Sequence, residues 1–77
     1  MLRNPKRRSK KFETIAGKEI YDLRMRLNLT QSELGEKLGI SQQAIHKCES
    51  TKNWRLSAKT IIKLSKLSGL PAETFVN

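Results

Sequence analysis

The sequence predicts an all-α domain on three observations. Apolar residues recur at helical spacing, helix-capping signals fall at the boundaries between those runs, and no segment alternates apolar and polar residues long enough to make a strand. At 77 residues the chain has room for one compact domain with a small core.

The elements follow in order. Residues 1–11 have almost no apolar content and include Pro5, so they read as a flexible, disordered arm, with the folded domain spanning 12–77. Ile15, Ile20, Leu23 and Leu27 recur at helical spacing and predict a first amphipathic helix over about residues 14–27. Thr30 followed by Glu33 is a capping-box pattern, which starts a second helix at Gln31. That helix runs through Leu34 and Leu38 and stops at Gly39. Ser41 then caps a third helix over residues 42–50, with Ile45 and Cys48 on one face. A polar loop carries Trp54, and Ser57 caps a fourth helix whose stripe is Ile61, Leu64 and Leu67 and whose end is Gly69. A last short turn from Pro71 to Val76 returns Phe75 to the core, with Pro accepted at a first helical position.

Charge is the second guide. Sixteen Lys and Arg against seven Asp and Glu leave a net charge of +9, and six of the cations, Arg3, Lys6, Arg7, Arg8, Lys10 and Lys11, lie in the arm. That asymmetry points to a polyanionic partner. A solvated terminus and an anionic membrane are the other readings of the arm. No apolar run approaches the length of a spanning helix, however, and the arm has no hydrophobic face to insert. No secretory signal follows the basic residues, and the single cysteine, Cys48, suits a reducing compartment. The expected location is the cytoplasm.

The window from Gln31 to Ser50 meets the packing demands of a helix-turn-helix. The inward positions are filled by Leu34, Leu38, Ile40, Ile45 and Cys48; Gly35 stands where the two helices approach most closely, and Gly39 makes the turn. Gln42, Gln43, His46, Lys47 and Ser50 project from the outer face of the third helix, while Glu49 turns inward. Gln can exchange paired hydrogen bonds with adenine, and Lys can donate to guanine, so this face suits base reading in the major groove. Gln31, Ser41, Lys52, Arg55 and Lys59 surround it as candidate phosphate contacts.

The runs from Leu27 to Gly35 and from Gly39 to Ile45 resemble the lambdoid phage repressor and Cro family of Xre-like regulators, and the resemblance covers residues 16–76. It implies a five-helix domain whose third helix reads the major groove, as a two-fold dimer on a pseudo-palindromic operator. It also implies a phosphate contact at Gln31 and base contacts from Gln42, Gln43 and Lys47. Arg24 and Glu49 fall where the family places a partly buried ion pair. Gly35 departs from the commoner Ala, which predicts a looser second helix by about 1 kcal/mol. Trp54 stands in a longer loop than the phage proteins have, and is read as a core residue, a dimer contact or a stacking group on DNA.

Catalysis and metal binding find no support. Cys48 and His46 do not share a helix face, no further ligand or nucleophile accompanies them, and Cys48 reads as a small core residue. The expectation is therefore a non-enzymatic, cofactor-free transcriptional regulator of bacterial or phage origin, acting at the nucleoid as a repressor on double-stranded DNA. With no oligomerisation segment after Val76, the homodimer is expected to be weak and strengthened on DNA. An antitoxin holding a toxin protein, a controller of a restriction-modification operon, and a pure interaction module are the alternatives.

Overall fold

The computed structural model describes residues 12–76. In chain order their elements are α1 (Ile15–Arg26), α2 (Gln31–Leu38), α3 (Gln42–Ser50), α4 (Ala58–Ser68) and a closing 3-10 turn (Ala72–Phe75).

Each α-helix begins on a hydroxyl side chain, because a helix start leaves backbone amides without partners and a nearby oxygen can accept from one. Thr14 Oγ1 accepts from the Gly17 amide at 2.8 Å. Thr30 Oγ1 accepts from the Glu33 amide at 3.1 Å, while the Glu33 carboxylate accepts from the Thr30 amide at 2.8 Å. Ser41 and Ser57 do the same for Ala44 and Thr60. At the opposite ends, α2 and α4 stop on Gly39 and Gly69 at φ 75° and 79°, a left-handed conformation that glycine adopts without a Cβ penalty. Asn28, at φ 59°, makes the corresponding reversal between α1 and α2.

The core gathers Ile20, Leu23, Leu34, Leu38, Ile45, Cys48, Leu64 and Phe75, with Ala16 and Trp54 beside them. α2 and α3 pack on each other, α1 lies on α3, and the 3-10 turn is held between α1 and α4. Two of these approaches are backbone to backbone. A Cβ on Gly17 would run into the Cys48 carbonyl oxygen, so α1 can reach α3 only because position 17 has no side chain. A Cβ on Gly35 would stand 2.6 Å from the Ile40 carbonyl oxygen. Glycine is thus the residue this turn is closed upon, and the looser second helix expected from its low propensity leaves that contact out.

Several expectations are corrected. The fifth helix is a single 3-10 turn: Gly69 ends α4, Pro71 stays extended as the cap, and the backbone is extended again at Val76 after the four residues Ala72–Phe75. Pro71 therefore precedes the turn instead of opening it. Ile15 is 79 % exposed, because it lies five residues before Ile20 and so about 140° around the helix from it. Ala16 and Gly17 face inward in its place. Leu27 lies past the last helical residue and is also exposed. Trp54 is buried and joins the core, which favours the first of its three readings. No helix among the described residues is long and apolar enough to cross a membrane.

The α1–α3 contact makes a direct prediction. Gly17→Ala should destabilise the domain by about 1–3 kcal/mol, despite the better helix propensity of alanine, because the added carbon forces the two backbones apart. Urea denaturation showing equal or greater stability would refute that close approach.

Candidate nucleic-acid interface

The third helix owes its orientation to the residues it buries. Ile45, Cys48 and Glu49 face inward, at 1 %, 2 % and 1 % exposure. With that face held, the remaining positions form one solvent-facing band: Gln42, Gln43, His46, Lys47 and Ser50 are all exposed. No carboxylate interrupts the band, since the one acid of α3 is the buried Glu49. The helix is fixed at both ends. Ser41 accepts from Ala44, and Thr51 donates to the Lys47 carbonyl through its amide at 3.0 Å and its hydroxyl at 2.9 Å.

Glu49 does not enter the interior as a bare charge. Arg24 Nε donates to one of its carboxylate oxygens at 2.8 Å and Arg24 Nη2 to the other at 2.9 Å, a bidentate pair with Arg24 itself only 9 % exposed. The third guanidinium nitrogen donates to the Leu29 carbonyl at 3.1 Å, and the group lies 5.3 Å from the centre of the Tyr21 ring. Hydrogen bonding to Glu49 raises the pKa of Arg24 against the opposing effect of burial. The Gln31 side chain adds a further bond, donating from Nε2 to Glu49 Oε1 at 3.3 Å. Residues from α1, α2 and α3 thus converge on one carboxylate. The family resemblance implies the ion pair; the Gln31 contact has no signal in the sequence, because it needs the α2 start to lie over the α3 end.

The other sequence-predicted residues occupy distinct places around α3. Gln31 is half-buried and shares a groove with Thr30, Ser32 and Gln42, so the starts of α2 and α3 open onto the same side. Ser41 is exposed at the head of α3, Lys52 and Arg55 are exposed on the loop behind it, and Lys59 is exposed in the first turn of α4. Arg3, Lys6, Arg7, Arg8, Lys10 and Lys11 lie outside the described residues. Gln43 and Lys47, four residues apart, sit one turn above another on the band, a spacing that suits contacts to neighbouring base pairs.

Cys48 packs in the core, where burial, and secondarily the negative charge of Glu49, pushes its thiol up to about 11. It is protonated at neutral pH and carries little nucleophilic character. Among the described residues, no three His, Cys, Asp or Glu side chains gather as a metal site would require.

A protein-family model described as Helix-turn-helix matches residues 20–75, well over half of the chain, from the middle of α1 through α4 to the closing 3-10 turn. A search of curated proteins returned no match.

Two outcomes follow. Arg24→Ala should destabilise the domain by about 3–5 kcal/mol by leaving Glu49 charged and unpaired in the interior, and a thermal melt near that of the parent would sink this role. The Cys48 proton is held more tightly in the folded chain than at the ordinary value of 9.0, so its stabilisation is full below pH 9 and is lost as pH rises toward about 11. Cys48→Ala should accordingly flatten the stability profile across that window, and parallel profiles would contradict the burial effect.

Proposed function

The chain belongs to the Cro/C1-type, Xre-like helix-turn-helix family of DNA-binding transcriptional regulators, and from that premise we propose that it is a repressor occupying a pseudo-palindromic operator as a two-fold dimer. The observation that carries the reading is the acid-free band of Gln42, Gln43, His46, Lys47 and Ser50 on an α3 whose rotation is fixed by buried residues. These five side chains read base edges in the major groove, with Gln43 and Lys47 contributing most to sequence preference. Gln31, Ser41, Lys52, Arg55 and Lys59 hold the phosphates on either side, and the helix starts at Gln31 and Gln42 add backbone amides to that task.

Affinity has a separate source. The ten basic and seven acidic residues of the folded part nearly balance, so most of the +9 charge resides in the arm. Arg3, Lys6, Arg7, Arg8, Lys10 and Lys11 strengthen binding to any duplex by releasing counterions from its phosphates. Protomers bind as a weak dimer that the operator strengthens, since two half-sites placed one helical turn apart bring two copies together.

The two contributions separate by experiment. Deleting residues 1–11 should weaken binding to all duplexes alike and reduce the slope of log affinity against log salt by up to about 5, the limit for six phosphate contacts. Gln43→Ala or Lys47→Ala should lower discrimination between preferred and altered operators by about 1–3 kcal/mol while leaving affinity for random duplex nearly unchanged. If both kinds of change merely scaled affinity, with the preferred sequence intact, the recognition assignment to α3 would be wrong.

A further inference from the structure

A second basic feature lies between α2 and α4. A groove of about 440 Å³ is lined there by Lys37, Leu38, Lys63, Lys66 and Leu67. Leu38 belongs to the buried core and forms its floor, with the half-buried Leu67 beside it. Lys63 and Leu67 stand one turn apart on α4, and so do Ile62, itself 51 % exposed, and Lys66. Each α4 lysine of the groove therefore has an apolar neighbour on the same side of the helix.

The charges are uncompensated. No acidic residue lines the groove, and none of its three lysines takes part in an ion pair among the described residues, where Lys18 pairs with Asp22 and Arg24 with Glu49. The carbonyl end of α2 favours a nearby cation, and Lys63 Nζ does lie over Gly39, 3.7 Å from where a Cβ would stand. One helix end does not account for three ammonium groups, which repel one another around a shared apolar floor.

We propose that this groove docks an acidic, amphipathic segment of a partner protein. Its carboxylates meet Lys37, Lys63 and Lys66, and an apolar side chain between them rests on Leu38 and Leu67. DNA fits less well, because phosphates would leave the apolar floor and Ile62 without a role. The groove also stands back from the DNA side: Lys37 is about 9 Å along α2 from Gln31, and Lys66 about 10 Å along α4 from Lys59. Only this placement rests on the proposed function; the charge and the floor of the groove do not. Partner and duplex can consequently be held together.

The test titrates the ¹⁵N-labelled full chain with a short synthetic helical peptide carrying Glu at i, i+4 and i+7 beside Leu, with and without a random duplex. Chemical-shift changes should centre on Lys37, Leu38, Lys63, Lys66 and Leu67 and persist when duplex is bound. A Lys37→Gln, Lys63→Gln, Lys66→Gln variant should bind the peptide about tenfold more weakly, as expected for three exposed pairs, while its duplex affinity changes far less than on deletion of the arm. A peptide with Gln in place of Glu should bind the parent chain more weakly by a similar factor. The proposal is overturned if the shifts fall on Gln42, Gln43, Lys47 or Arg55, since the peptide would then be imitating DNA. It is equally overturned if no saturable binding occurs, or if the triple variant loses duplex affinity as the arm deletion does. Should the chain bind this peptide at the groove but no duplex, the repressor reading fails and the docking surface stands.

Discussion

Withdrawing a guanidinium and a carboxylate from water costs several kcal/mol for each, and the interior returns that cost only when geometry and hydrogen bonding are nearly complete. Arg24 and Glu49 meet the condition. Two parallel bonds join them, Leu29 takes a further guanidinium proton, and Gln31 donates to Glu49 Oε1, the oxygen that also accepts from Arg24 Nη2. The partners come from α1, α2, α3 and the turn between the first two. Rotating α3 or sliding α2 would strand a buried charge, so this cluster sets the relative rotation of three helices. The outward direction of Gln43 and Lys47 is a consequence, because Glu49 can face inward only if they face out.

The same carboxylate ties the interior to the surface. Gln31 is half-buried at the start of α2, and its amide nitrogen is held by Glu49 while the residue borders the groove shared with Gln42. A group assigned to the DNA backbone is thereby oriented by the pair that holds the helices together. Preorganisation of this kind lowers the entropy lost when a contact forms. The exposed Lys18–Asp22 pair of α1 offers a contrast, since solvent screens it and it positions nothing else.

Much of this is legible in the sequence. The hydroxyl caps at Thr30, Ser41 and Ser57 and the glycine stops at 39 and 69 are local signals, decided within four residues of chain, and they mark the observed boundaries. The core faces of α2 and α3 followed from their apolar spacing in the same way. What escaped depends on tertiary approach. Ile15 looked like part of a stripe until α3 came so near that only Ala16 and Gly17 fit against it. Trp54 lies in a polar loop with no periodicity to decide among its three readings, and the extended backbone at Pro71 and Val76 confines the last element to a 3-10 turn. Lys37 precedes Lys63 by 26 positions and Lys66 by 29, so it joins them only in the fold.

The proposed division of labour, base reading by α3 and counterion release by the basic residues of the first eleven positions, would let the two be tuned independently, affinity by cation number and preference by a few side chains on α3. The most direct test of the reading face is selection of bound sequences from a random duplex pool with the full chain. Enrichment of a consensus with two related half-sites about one helical turn apart is the predicted result. A chain that retains duplex without enriching any sequence would contradict it.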